Sequence, residues 1–214
     1  ASHFQEKPVP RISCIIRFIL RRLQHALSEA TPNMSKAKEI AHTLIEEGIK
    51  ARAHFQVWWA LRNKALPKYY DAMNDFAYVD FFHAANSGHY TLFWLSLAKI
   101  FDQDSRVAGL KEFRHALRAE GMNKSALAIH HALKPHREIV QRVMAIRNKS
   151  VVHNEHGLNG VTPNQLRDLI DVTCKSINEA ASGLGLNNLI FDGDRAERAT
   201  LNMLETLAKG AKNA

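Results

Sequence analysis

The sequence predicts an all-α protein, an antiparallel helical bundle with an extra amphipathic helix at its N-terminus. Three observations favour this class. Apolar residues recur at helical spacing along most of the chain, no run alternates between apolar and polar residues as a strand would, and the 214 residues include only 10 Gly and 6 Pro. All-β proteins need many turns, so this scarcity of turn residues favours long helices.

The composition narrows the classes of function. A net charge of +8 favours a polyanionic partner such as nucleic acid or an anionic membrane surface, although general solubility explains it equally well. Cys14 and Cys174 share no motif, so neither a zinc knuckle nor a thioredoxin-type site is supported, and a reduced cytoplasmic compartment fits best. No stretch reaches the roughly 18 apolar residues that span a bilayer, so no stable membrane span is expected.

The first 33 residues differ from the rest. Residues 11–27 place Ile and Leu at helical spacing, interrupted by Arg, which predicts a short basic amphipathic helix. Such a helix could lie on a membrane or a partner, but an extra helix that docks on the domain, or an N-terminal extension outside it, is the simpler interpretation. Ser35 is a plausible N-cap. We therefore predict an extension over 1–33, a helical domain over 34–190 and a C-terminal helix or tail over 191–214.

The domain is expected to be helical throughout. Residues 89–101 are apolar on almost every face, as in a central helix, and Asn86-Ser87-Gly88 is expected to break or kink the chain before them. Trp58, Trp59 and Trp94 are interpreted as core residues. The apolar spacing predicts helices over residues 35–63, 67–84, 89–101, 105–119, 125–133, 136–149 and 195–208.

Some helix ends are marked by single residues. Thr162-Pro163 is a strong helix start, because a capping side chain is followed by Pro at the first helical position. Gly183 and Gly185 are expected to stop this helix, and Gly121 the helix that begins near residue 105.

One segment could carry chemistry. Residues 134–149 hold five Lys or Arg and one acid, Glu138, giving a local charge of +4. The sequence continues as Arg147-Asn148-Lys149-Ser150-Val151-Val152-His153. Arg can hold two phosphate oxygens at once, and His can move protons near neutral pH. The cations that could contact RNA in this segment, apart from Arg147, are Lys134, Arg137, Arg142 and Lys149.

RNA cleavage by its own 2′-hydroxyl needs few protein groups. A base removes the hydroxyl proton, an acid protonates the leaving 5′ oxygen, and a cation stabilises the charge that builds up on the phosphorane. In principle no metal is required. A basic helix that ends in Arg, Asn and His therefore suits this reaction.

The pattern of Arg147-Asn148, four residues and His153 resembles the signature of the HEPN family, an Arg followed after four to six residues by a His. A polar residue directly after the Arg, here Asn148, is typical of it. The stretch Leu95-Ser96-Leu97-Ala98-Lys99-Ile100-Phe101-Asp102 resembles the AbiU-type branch, which is associated with phage abortive infection. Together the resemblances cover residues 34–185.

The resemblance implies a bundle of about four or five helices, often dimeric, in which two copies of the motif form one RNase site across the interface. Such enzymes need no metal or other cofactor and leave a cyclic phosphate. On this chain His153 would be the acid/base group, Arg147 the phosphate clamp and Asn148 an orienting group, with Asp102 as a possible supporting residue. The expected partners are RNA, a second copy and possibly an antitoxin.

Helix geometry bears on this site. On one uninterrupted helix Arg147 and His153 would lie roughly 120° apart, so a break near Ser150 or a second subunit is needed to bring them together. The simpler alternative has Arg147 in a salt bridge and His153 at a helix end. A non-catalytic helical module that binds RNA or a protein would use the same basic helix.

Other candidate sites are weaker. His153 and His156, like His130-His131 and His136, could bind a metal, but no third ligand is evident, so we expect surface residues and no metal site. Asp102 and Asp104 could hold a cation, although a turn that caps a helix is the better interpretation. Gly183-Leu184-Gly185 ends a helix and does not begin one, so nucleotide binding by a glycine-rich loop is unsupported.

Overall fold

A computed structural model describes residues 34–64, 66–146, 160–186 and 193–211. No β-strand occurs within these ranges, which confirms the predicted all-α class. The amphipathic helix predicted over residues 11–27 lies outside them. In chain order the helices are α1 (Lys36–Trp59), a π-helical turn (Ala60–Lys64), α2 (Leu66–Asn74), α3 (Val79–Ile100), α4 (Leu110–Ala119), α5 (Asn123–Leu133), a 3-10 turn (Lys134–His136), α6 (Arg137–Ile146), α7 (Pro163–Gly183) and α8 (Arg195–Ala211).

Helix α1 is central to the bundle, because it packs against α3, α4, α7 and α8. Its Phe55 ring meets Phe93 of α3 edge-on, with centroids 5.7 Å apart. Lys99 at the end of α3 pairs with Glu47, Nζ to Oε1 at 3.3 Å. Lower-numbered residues of α1 thus meet higher-numbered residues of α3, so the two helices are antiparallel.

Helix α7 is also antiparallel to α1. Arg52 of α1 donates to Asp171 of α7 at 2.5 Å, while Gly48 accepts a weak hydrogen bond from the Cys174 thiol at 3.7 Å. Cys174 is buried here. The α1–α3 and α1–α7 pairs together confirm a helical bundle.

An aromatic cluster fills the contact between α1 and α3. Phe93 is fully buried, Trp94 is 3% exposed and Trp58 is 8% exposed, and Trp59 packs against them. The ring centroids of Phe93 and Trp94 are 4.8 Å apart. Burying each such side chain stabilises the fold by about 1.5–3 kcal/mol. The three Trp residues therefore belong to the core, as predicted.

The break predicted at Asn86-Ser87-Gly88 is wrong, since α3 runs through these residues without interruption. The chain turns earlier, where the Asp75 carboxylate accepts from the Ala77 amide at 2.8 Å. A single Gly costs a helix only about 1 kcal/mol, and the packing of α3 against α1 outweighs this. Helix α4 also begins later than predicted, at Leu110.

The helix ends marked by Thr162, Gly121 and Gly185 are confirmed, whereas Gly183 is the last residue of α7 and does not stop it earlier. Thr162 caps α7 through a capping box, in which its hydroxyl accepts from the Gln165 amide at 3.3 Å and the Gln165 side chain accepts from the Thr162 amide at 2.9 Å. Gly121 and Gly185 follow α4 and α7 with φ of 80° and 74°, a conformation that costs Gly little. None of the described helices is long and apolar enough to cross a membrane.

Candidate functional site

The residues predicted to carry catalysis, Arg147, Asn148 and His153, lie outside the described residues, and so does the predicted RNA-binding Lys149. The structure does describe the chain on both sides of them. Helix α6 leads into this segment, and its last described residue, Ile146, is 9% exposed and anchored in the core.

Arg142 connects the two sides of the segment 147–159. Its guanidinium donates a hydrogen bond to the carbonyl oxygen of Gly160, and its other terminal nitrogen lies 3.9 Å from the Glu138 carboxylate. Gly160 has a φ of 128°, and a Cβ there would come within 3.1 Å of the Arg142 Nη1 atom. Arg142 therefore holds the residue after the segment against α6, while its role in binding RNA stays a prediction.

Lys134 and Arg137 line a cavity of about 760 Å³ between α4, α5 and α6. Two further cations, Lys111 and Arg114 of α4, line it as well. We call this cavity the basic pocket. Its other walls are apolar and come from Phe101, Leu110, Ile129, Leu133, Val140 and Met144.

The charged side chains that line the basic pocket are all cationic. None of the described residues that line it has a carboxylate. The Arg114 Nε atom is buried and has no hydrogen-bond partner among the described residues, and burial followed by the charge of Arg118 lowers the pKa of Arg114. The charge of Arg114, then burial and the neighbouring His131 and Lys134, lowers the pKa of His130 at the pocket rim. Anions are therefore favoured there.

Sequence reasoning missed Lys111 and Arg114, because they come from a helix remote in sequence from the segment 134–149. One signal was present: the two are three residues apart, which places them on the same face of α4. Only the packing of α4 beside α5 and of α5 beside the turn that starts α6 brings that face to Lys134 and Arg137.

Asp102 stabilises a turn. Its Oδ1 atom accepts from the Asp104 amide at 2.9 Å, and Asp104 in turn holds Arg106 through both carboxylate oxygens at 2.6–3.2 Å. The Asp102 carbonyl oxygen would lie 2.9 Å from a Cβ added at Gly109. Asp102 and Asp104 therefore form a turn, as predicted, but this turn does not cap α4, whose N-cap is Gly109 without a side-chain cap. Asp102 lies between Phe101 and Gln103 in the sequence, and both of these residues line the basic pocket. A supporting role of Asp102 in the site stays a prediction.

A second polar cleft, of about 270 Å³, lies between α1, α7 and the start of α8. Both arginines that line it are paired, Arg52 with Asp171 at 2.5 Å and Arg167 with Glu197 at 3.5 Å. The third acid of the cleft, Asp194, pairs with Arg198 at 2.8 Å. The Arg167 guanidinium also stacks over the Trp59 ring, 5.4 Å from its centroid. These internal pairs make the cleft a structural contact between helices.

A histidine pair joins α1 to α3. The Nδ1 atoms of His54 and His89 are 2.8 Å apart, so one ring donates and the other accepts. Burial, then the neighbouring His89, lowers the pKa of His54, and burial lowers the pKa of His89. These shifts favour the neutral form of both rings. No cluster of three metal-ligating side chains occurs in the described part of the chain.

Comparison with known proteins identifies the family. Residues 34–200 match the family HEPN_AbiU2, described as AbiU2. No curated protein and no solved structure matches the chain. The matched residues extend from the start of α1 into α8 and include the basic pocket, the Arg142–Gly160 contact and the segment 147–159 between them. Since the match covers well over half of the sequence, the chain belongs to the HEPN_AbiU2 family.

Proposed function

We propose that this protein is a metal-independent endoribonuclease of the HEPN type that acts in phage defence or as the toxin of a toxin–antitoxin pair. Its family suggests a role related to abortive infection. The observation that carries the proposal is the Arg147-Asn148 pair followed by His153, directly after α6, in a member of this family.

The proposed reaction uses the substrate's own 2′-hydroxyl. His153 takes the proton of this hydroxyl as its oxygen attacks the adjacent phosphorus, and a second acid gives a proton to the leaving 5′ oxygen. The products are a 2′,3′-cyclic phosphate and a 5′-hydroxyl. Arg147 stabilises the charge on the phosphorane, and Asn148 orients the phosphate.

A homodimer is the proposed working form, since the acid that protonates the leaving 5′ oxygen then comes from the same motif of the partner copy. One copy offers Arg147 and His153 roughly 120° apart on an ideal helix, whereas two copies supply two of each. A separate antitoxin that covers the motif would restrain the enzyme in the cell.

The surroundings of the segment support the proposal. The basic pocket lies along α6, the helix that leads directly to Arg147. Arg142 holds Gly160 against that helix, so the residues on either side of the segment are fixed relative to each other. The cations along α6 attract a substrate phosphate to this part of the protein.

Substitution of the motif tests the proposal. We expect His153→Ala and Arg147→Ala to abolish cleavage of a labelled single-stranded RNA in EDTA, while circular dichroism and thermal unfolding stay those of the wild type. The matched control Lys175→Gln removes an exposed cation of α7 that pairs with Glu179 at 4.0 Å, and it should cleave normally. Cleavage by the stably folded double variant would overturn the assignment.

The second candidate is a non-catalytic module that binds RNA, and the basic pocket favours it equally. It predicts binding that weakens steeply with salt and no product on any RNA. The two candidates differ in turnover alone, so the assay should follow binding and cleavage in the same samples. Binding without product in the wild type, unchanged by His153→Ala, would support the module.

A further inference from the structure

The basic pocket combines two kinds of surface that a single ligand must satisfy. Its walls are apolar, with Phe101, Leu110 and Ile129 beside Val140 and Met144 of α6 among the lining residues. Its cations are Lys111, Arg114, Lys134 and Arg137. Sites for small ligands typically have about 300–1,000 Å³ of volume, apolar walls and a few convergent polar groups, and the basic pocket has all three.

The cations of this pocket are not neutralised within the described part of the chain. Lys134 and Arg137 have no ion-pair partner there, and Lys111 donates to a backbone carbonyl, that of Gln103, at 2.8 Å. Arg114 Nε is buried without a partner among the described residues. A phosphate is the ligand that stabilises a guanidinium most in such surroundings, because it accepts hydrogen bonds from two N–H groups at once.

The apolar walls limit what can carry that phosphate. Inorganic phosphate would leave the walls in contact with water, and a long acyl chain would gain little from four cations. A nucleotide has both parts, a flat base that packs against apolar side chains and a phosphate one sugar away. From the volume, the walls and the charges we infer that the basic pocket binds one nucleotide, with its base against the apolar walls and its phosphate on Arg114, Lys134 and Arg137.

The source of the nucleotide can be inferred from the position of the pocket. Helix α6 forms one wall and leads directly to Arg147, so a strand held in the pocket can continue toward the motif. The pocket then acts as a subsite for one residue of an RNA strand, an assignment that rests on the proposed function. A free nucleoside monophosphate has the same chemistry, and the binding experiment distinguishes the two.

The experiment measures binding without cleavage, so that failure of the pocket and failure of catalysis are separate results. The full chain is titrated calorimetrically in EDTA with GMP, AMP, CMP and UMP, with a short 2′-O-methyl oligoribonucleotide, with inorganic phosphate and with decanoate. The 2′-O-methyl strand lacks the attacking hydroxyl and cannot be cut by the proposed reaction. Tighter binding of this strand than of any monophosphate identifies RNA as the source, and equal affinity identifies a free nucleotide.

A variant without two of the pocket's cations, beside a matched control, tests whether binding occurs in the pocket. Lys134→Gln/Arg137→Gln should weaken binding of the 2′-O-methyl strand at least about tenfold and lower the log–log salt slope by about 2. The control Lys175→Gln/Lys209→Gln removes two exposed cations outside the pocket, each paired with a Glu four residues away along its helix. It should leave both quantities unchanged.

Val140→Trp fills the pocket and keeps every charge, and it should also weaken binding by about tenfold if the base occupies the apolar walls. Gln141→Trp at the exposed rim gives the same test where Val140→Trp destabilises the fold. Nucleotide binding that survives these pocket-filling variants would overturn the inference. So would preferential binding of decanoate, or binding of inorganic phosphate as tight as that of the nucleotides.

Discussion

Arg142 and Gly160 are joined by a hydrogen bond from the guanidinium of one to the carbonyl oxygen of the other. The bond connects α6 to the first residue after the segment 147–159, two positions before the Thr162 cap of α7. Every proposed catalytic residue lies between these two anchors in the sequence. Among the described features, the Arg142–Gly160 contact is therefore the one nearest in sequence on both sides to the proposed catalytic residues.

Gly160→Ala should destabilise the protein. The φ of 128° at this position is strained for any residue with a Cβ, and the added atom would lie 3.1 Å from Arg142 Nη1. We expect a loss of about 1–2 kcal/mol in the free energy of unfolding, measured by urea denaturation. Gly88→Ala in α3 is the matched control: its Cβ meets no atom within 4 Å, so it should stabilise by up to about 1 kcal/mol. Equal effects of the two substitutions would contradict the role of Gly160.

The histidine pair should make stability depend on pH in one direction. Burial lowers the pKa of both His54 and His89 in the folded state, below the roughly 6.5 of an unfolded chain. At a pH between the folded-state and unfolded-state pKa values, the unfolded chain binds more protons than the folded protein does. The stability of the fold is therefore fully present above about pH 6.5 and is lost as the pH falls toward the folded-state pKa. The nearby charges of Glu47 and Lys50 act on His54 in opposite directions.

Urea denaturation at a series of pH values between 7 and 5 measures this loss. His89→Gln keeps a partner for His54 but removes one of the two titrating groups, so the loss of stability toward acid should become smaller. An exposed substitution such as His83→Gln serves as the control, because His83 lies on the solvent-facing side of α3. The same acid dependence in the wild type and His89→Gln would rule out the pair as its source.

Cys174 should be unreactive while the protein is folded. The residue is 1% exposed, and burial raises the pKa of its thiol to about 12, so almost no thiolate exists at pH 8. Alkylation by iodoacetamide in a Cys14→Ser background, followed by mass spectrometry, should label Cys174 in urea and leave it unlabelled in buffer. Labelling at equal rates in both would show that the α1–α7 contact opens readily.

The positions of most helices could be predicted because each helix buries a stripe of apolar residues that recur at helical spacing. Thr162-Pro163 identified the start of α7 correctly, since a cap and a first-turn Pro act locally. The break placed at Asn86-Ser87-Gly88 was wrong because these residues weaken a helix by small amounts that the tertiary packing of α3 on α1 overrides. Asp75, which makes the actual turn, resembles many exposed Asp residues when only the sequence is considered.

The site could be predicted in part. A short motif and the charge of residues 134–149 identify α6 and the segment after it, and the structure places Lys134 and Arg137 together on one pocket. Lys111 and Arg114 could not be assigned to that pocket, since their proximity to α6 depends on how α4 and α5 pack. Arg142 belongs to the same basic run in the sequence, yet in the structure it holds a backbone carbonyl across the segment.

The chemistry of the RNA ends tests the central claim most directly. A labelled single-stranded RNA is incubated with the purified protein in EDTA, beside the His153→Ala variant, and the new 3′ ends are analysed by mass spectrometry. The proposed reaction predicts 2′,3′-cyclic phosphates in the wild-type sample alone. Products with 3′-hydroxyl ends, or equal cleavage by His153→Ala, would contradict it.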